Sequence, residues 1–210
     1  MANQVKHIAV SGNIGAGKTT LTEKLAKHYG WDPEFEDVED NPYLADFYGD
    51  MKKWSFHLQV YFLNSRFEQI GKVRAGKNTV TQDRTIYEDA YIFAKSLYKQ
   101  GHFNERDYQN YRALFDSMID FVQPSDLLIF LKADIGKLVH NIEKRGRDYE
   151  SAIRIDYLKG LNAHYEEWIS NYKNGRLLII DVNNMDFVHN QEDFADIVSR
   201  IDVELHGLFS

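Results

Sequence analysis

Gly12-Asn13-Ile14-Gly15-Ala16-Gly17-Lys18-Thr19 decides how the rest of the chain is read. It fits the pattern G-x-x-x-x-G-K-[ST] at every position. Glycines let the backbone turn its N–H groups inward around a phosphate, and a helix that starts there presents its positive end. Lys18 is then placed to reach the β- and γ-phosphates of a nucleoside triphosphate, and Thr19 to hold Mg²⁺. The surroundings agree. Residues 7–10 form a short apolar run, and Leu21, Leu25, Ala26 and Tyr29 follow at helical spacing, so the order is strand, loop, helix.

Outward from this loop, strands and helices keep alternating. A second short strand is expected at residues 35–38, closed by the turn dipeptide Asn41-Pro42. Residues 54–73 read as a long helix, and the β-branched run 79–81 as a third strand. Helical spacing returns at 90–98 and 106–122. Residues 127–131 and 177–180 are continuous apolar runs, the kind that suit parallel strands buried on both faces. Between them lie a helix around 135–142, ending in the basic stretch Lys144-Arg145-Gly146-Arg147, and another over 157–172. An amphipathic helix around 194–201 closes the chain. The expectation is one doubly wound α/β domain over residues 1–210: a five-stranded parallel sheet with flanking helices.

Composition bounds the function. The 25 basic and 32 acidic residues leave a net charge of -7, which argues against a nucleic-acid polymer as partner but not against a small anion held locally. The absence of cysteine rules out disulfides, thiolate metal sites and a cysteine nucleophile. The eight histidines are too widely spaced for a local zinc motif. Apolar runs are too short to span a bilayer, and the N-terminal stretch has no apolar signal core, so no membrane partner and a cytoplasmic setting are expected.

Ligands of open α/β sheets sit beyond the carboxyl ends of the strands, where Glu36 and the pair Asp83-Arg84 fall. A carboxylate beside a hydroxyl can take its proton, and an arginine can offset charge developing on a phosphoryl group. Read with Gly12-Thr20, Glu36-Asp37-Val38, residues 54–59, Asp83-Arg84-Thr85, Arg145-Gly146-Arg147 and Asp181-Val182-Asn183, the chain resembles the deoxynucleoside kinase family. These segments run in order along nearly its whole length.

The resemblance implies ATP and Mg²⁺ as cofactors, a deoxynucleoside as acceptor and a homodimer packed through helices. The donor phosphates would lie on Gly12, Asn13, Ile14, Gly15, Ala16, Gly17, Lys18, Thr19 and Thr20. Glu36 and Arg84 match groups at the acceptor 5′-OH. Asp83 matches an acidic position near Mg²⁺, shared with Thr19, and Glu36 and Asp83 both stand as candidates for the base. Tyr48 and Glu150 match groups on the deoxyribose 3′-OH. Gln59 and the pair Arg66 and Asp89 match base-reading positions. Arg145 and Arg147 match a lid at about 144–151, while Asn183 and Phe187 fall in the segment at the donor's base. Three positions depart from the pattern: Asp37 stands for a frequent proline, Thr85 for a serine and Asn141 for an additional lid arginine.

Two other readings compete. A guanine-reading switch would carry N-K-x-D, and the chain has no Asn-Lys dipeptide; its lone D-x-x-G is at Asp46–Gly49. A nucleoside monophosphate kinase of the thymidylate type would need cations where the acceptor phosphate sits. On residue chemistry, Asp89 favours a base with an exocyclic amine: deoxyadenosine, deoxycytidine or, with Arg66 satisfying O6, deoxyguanosine.

Overall fold

The computed structural model describes residues 6–36, 41–147, 150 and 153–207. The apolar runs pair as expected. β4 (Leu127–Lys132) lies between β1 (His7–Gly12) and β5 (Arg176–Asp181), and β3 (Val80–Asp83) and β2 (Asp32–Glu34) extend the sheet past β1. The order is β2-β3-β1-β4-β5 and every pairing is parallel. Val10 stands opposite Asp83, and Gly12 opposite Leu131. The phosphate loop therefore leaves the sheet at its centre, beside the end of β3.

β1 and β4 are buried almost throughout because both faces are covered, whereas the edge strands β2 and β5 are partly exposed. Ile8, Val10, Ile129 and Ile180 join one core with Leu21 and Leu25 of α1 (Lys18–Tyr29) and Ile197 and Ile201 of α9 (Gln191–His206). Ala9, Leu128 and Phe130 face the other core, built on α3 (Met51–Ala75), α6 (Glu105–Ile119) and α8 (Ile155–Ser170). α2 (Leu44–Gly49) precedes α3, and α7 (Ile135–Arg145) follows β4. Asn104 and Asn190 cap α6 and α9 by accepting from backbone N–H groups of their first turns, at 2.9 Å each. Among the described residues no helix is long and apolar enough to cross a membrane.

Two expectations are corrected. β2 covers Asp32–Glu34 rather than 35–38; Phe35 and Glu36 lie just past its end, and Asp37 and Val38 lie outside the described residues. Pro33 has no N–H to give, and its place on the edge strand is where a sheet tolerates it. The helix expected at 90–98 runs from α4 (Ile86–Glu88) through a π-helical turn (Asp89–Ala94) into α5 (Lys95–Lys99). π-Helical turns of this kind frequently mark functional sites. The D-x-x-G at Asp46–Gly49 is part of α2, a helix that the sequence reading passed over.

Leu25 is fully buried where α1 meets the sheet. Leu25→Ala should cost about 2–5 kcal/mol, read as a lower midpoint in urea unfolding. An unchanged midpoint would mean that α1 is not anchored through this core.

Candidate active site

α1 starts without a side-chain cap, at Gly17 in the left-handed region with φ 95°. The N–H groups of its first turn are thus left for an anion. The loop before it cannot take larger residues. A Cβ at Gly15, φ 84°, would stand 2.7 Å from the Leu138 carbonyl, and one at Gly17 would stand 2.8 Å from the Phe187 ring. Side chains hold the loop from outside. Asn13 Nδ2 donates to Asn162 Oδ1 at 2.6 Å and to the Leu158 carbonyl at 3.1 Å, and Asn141 Nδ2 donates to the Gly15 carbonyl at 2.8 Å. Asn141, where the resemblance implied an additional lid arginine, is here a brace for the loop. Lys18 Nζ is folded back on the Asn13 carbonyl at 3.1 Å.

A cavity of about 680 Å³ opens beside this loop. Ile14, Gly15, Lys18 and Thr19 form one end. Glu36, Asp83 and Arg84 come from the ends of β2 and β3, and Tyr48, Gln59 and Asp89 from α2, α3 and the π-helical turn. Arg145, Arg147 and Glu150 close the remaining side. Gln59 is 2% exposed, and its Oε1 has no hydrogen-bond partner. A buried acceptor facing a cavity awaits a ligand donor.

Arg66 sits behind this wall, 2% exposed and not lining the cavity. Its Nη2 donates to Glu36 Oε1 at 2.8 Å, Nη1 to the Asp83 carbonyl at 2.9 Å, and Nε to Asp89 Oδ2 at 3.4 Å. Arg84 Nε stands 3.4 Å from the same Glu36 oxygen, and its guanidinium lies over the Phe93 ring at 4.2 Å. Gln69, also buried, donates to the Phe35 carbonyl at 2.6 Å and so fixes the chain next to Glu36. Asp83 Oδ2 accepts from the Thr19 hydroxyl at 2.5 Å, while its buried Oδ1 has no partner. Two oxygen donors, one unpartnered, beside a phosphate loop are the chemistry a hard divalent cation takes. Glu150 accepts from Arg145 Nε at 3.0 Å and from Arg145 Nη2, with Arg147 Nη1 at 3.7 Å.

The profile of the deoxynucleoside kinase family matches residues 8–206. The chain belongs to that family. It is an ATP-dependent kinase whose acceptor is a deoxynucleoside. The Bacillus subtilis deoxyadenosine/deoxycytidine kinase is 37% identical over 201 residues, 95% of this chain and 93% of its own. The Dictyostelium discoideum deoxyadenosine kinase is 41% identical over 192 residues, 91% of this chain and 77% of its own. Deoxyadenosine kinase from M. mycoides, solved with bound dATP, superposes with a TM-score of 0.83 at 29% identity, covering 94% of this chain and 99% of that one.

Within this kinase site the charges shape one another. Burial lowers the Lys18 ammonium, and Arg84 adds to the effect, bringing it to about 8. Burial pushes Glu36 up, but Arg84, Arg66 and Lys18 outweigh it and hold the carboxyl below its usual range. Asp89 goes the other way. Burial raises it to about 7, outweighing the pull of Arg66 at 3.4 Å and of Arg84.

Several expected site residues lie elsewhere. Gly12, Asn13, Ala16, Gly17 and Thr20 shape the loop without lining the cavity. Asn183 accepts from the Asp134 N–H at 2.8 Å ahead of α7, and Phe187, 4% exposed, packs on Gly17; neither lines the cavity. The sequence reading missed the apolar walls, Phe47, Leu58, Phe62, Phe93 and Tyr157. Their helical spacing reads the same for a core face as for a cavity face.

Asp89 yields a pH prediction. A carboxyl that binds its proton more tightly folded than unfolded stabilises the fold below its ordinary pKa, and that contribution is lost as pH rises through about 7. The unfolding free energy of wild type should therefore fall relative to Asp89→Asn between about pH 5 and about pH 8. Parallel urea-unfolding curves across that range would contradict the raised pKa.

Proposed function

We propose that this kinase transfers the γ-phosphoryl group of ATP to the 5′-OH of a deoxynucleoside whose base carries an exocyclic amine, with Glu36 as general base. The observation that carries this reading is Glu36 itself, a carboxylate at the cavity wall held by Arg66 and Arg84. It offers an acceptor to a hydroxyl and repulsion to a phosphate. Two like charges 4 Å apart cost about 4 kcal/mol at an effective dielectric near 20, roughly a thousandfold. The thymidylate-type reading thus loses its acceptor site.

The remaining roles are those the family resemblance implies, and the shared cavity supports them. The loop N–H groups and Lys18 hold the donor phosphates, and Thr19 and Asp83 would hold Mg²⁺, which when bound neutralises phosphate charge. Arg84 offsets charge on the transferred group, and Arg145 and Arg147 do so from the lid side. Glu36, kept ionised by its two arginines, accepts the hydroxyl proton. In a loose phosphoryl transition state the hydroxyl loses that proton late, so a base of depressed pKa suffices. Tyr48 and Glu150 meet the deoxyribose 3′-OH, and Gln59 and Asp89 the base. Above about pH 7, where Asp89 is ionised and only accepts, thymine sets a carbonyl oxygen against it where adenine and cytosine bring an amine. That M. mycoides deoxyadenosine kinase has also been solved with the product dCMP, and that the B. subtilis relative is named for deoxyadenosine and deoxycytidine, supports an amine-bearing base. Exposed Leu114 and Phe121, on and just after α6, support a homodimer packed through helices. The cytoplasm, with its ATP, is the setting for this salvage of DNA precursors.

Phosphorylation of the four deoxynucleosides, side by side, tests the acceptor. Deoxyadenosine or deoxycytidine should exceed thymidine by more than about tenfold in kcat/KM. Glu36→Gln should lower kcat by about 10²–10⁴ with a much smaller change in nucleoside binding. Thymidine as best substrate would remove the role of Asp89. Efficient phosphorylation of a 5′-monophosphate, or an indifferent Glu36→Gln, would remove that of Glu36.

A further inference from the structure

Arg84 is the one non-glycine residue with positive φ among those described, at 70°. Such a conformation persists only where its surroundings over-determine it. Here the backbone is pinned on both sides. The Arg84 N–H donates to the Val10 carbonyl at 2.9 Å, and the next N–H, of Thr85, donates to Glu88 Oε2 at 2.7 Å. Glu88 is fully buried at the end of α4 and does not line the cavity. The Thr85 hydroxyl donates to the same oxygen at 3.1 Å, and Tyr165 of α8 donates to Oε1 at 2.9 Å. Both oxygens of the carboxylate are thereby satisfied by neutral donors, two of them on the residue that follows Arg84. Its charge also draws on the Arg84 guanidinium.

A carboxylate taken wholly out of water is costly to keep. The bond that matters is the one from the Thr85 N–H, part of a capping box between Thr85 and Glu88, and an amide oxygen would also accept it. We propose that Glu88 is a positioning residue for phosphoryl transfer: through the Thr85 N–H it holds the left-handed turn that aims the Arg84 guanidinium at Glu36 and the reacting end of the cavity. The inference rests on the role given to Arg84 above.

Steady-state kinetics on Glu88→Ala, Glu88→Gln, Arg84→Ala and the double variant Glu88→Ala/Arg84→Ala test it. Glu88→Ala should lose about 10- to 100-fold in kcat, the scale of a misplaced reacting group, with nucleoside KM within about threefold. Glu88→Gln, whose carbonyl still accepts from Thr85, should stay within about fivefold of wild type. The double variant should be no slower than Arg84→Ala, because nothing is left to aim. Should Glu88→Ala not fold, Tyr165→Phe takes its place. It should cost about 3- to 10-fold in kcat at unchanged KM, and nothing further in the Arg84→Ala background. Full kcat in Glu88→Ala, or in Tyr165→Phe where that variant stands in, would overturn the proposal. Losses that multiply with Arg84→Ala would also overturn it, as would equal losses in kcat and nucleoside affinity. A normal kcat in Arg84→Ala would instead overturn the role of Arg84 itself.

Discussion

One buried guanidinium ties the acceptor half of the site together. Arg66 is taken out of water and its charge is met by two carboxylates and a carbonyl from three elements: Glu36 past β2, Asp83 at the end of β3, Asp89 in the π-helical turn. A buried charge with one partner is a liability, since desolvation outweighs most of the attraction. A planar fork with several donors is what allows a single cation to serve partners in different directions, and lysine has no equivalent. The geometry also ranks the partners. Glu36 takes the close bond and, with Arg84 beside it, stays ionised, while Asp89 takes the long one and burial raises its carboxyl to about 7. Two carboxylates around one arginine thus acquire different chemistry.

The donor half is built differently, from backbone. The loop from Gly12 to Gly17 presents N–H groups, and its stiffness comes from Asn13 and Asn141 bonded outside it. The two halves meet where β1 and β3 lie side by side, so that Thr19 touches Asp83 and Arg84 follows directly. Arg84 makes that junction in a left-handed conformation that costs on the order of 1–3 kcal/mol for a non-glycine residue. Stability is spent there to set a guanidinium beside Glu36.

Local features were legible in the sequence and non-local ones were not. The glycines around Lys18 and the apolar runs of β1, β4 and β5 carry their meaning within a few residues. Glu36, Asp83 and Arg84 were found because strand ends are where such sheets place ligands. β2 was put three residues late, because an edge strand containing proline has neither the length nor the alternation of a regular strand. Arg66, which the resemblance implies as one half of a base-reading pair, lies behind the wall and reaches the cavity through Asp89. Gln69 carries no local signal, because its partners Gln82 and the Phe35 carbonyl are distant in the chain and a helical glutamine ordinarily faces water. Glu88 does carry one, the capping-box pattern Thr85-x-x-Glu88, but its third donor, Tyr165, is distant.

The central claim is that a single side chain sets both the rate and the choice of base. Arg66→Lys keeps the charge but removes the fork, so it tests that claim directly. The measurement is kcat and the ratio of kcat/KM for deoxyadenosine over thymidine, in wild type and variant. Both should collapse together: kcat by about 10²-fold, as expected for a displaced reacting group, and the ratio toward unity. A variant that loses rate while keeping full discrimination, or the reverse, would show that Glu36 and Asp89 are held independently, and would contradict it.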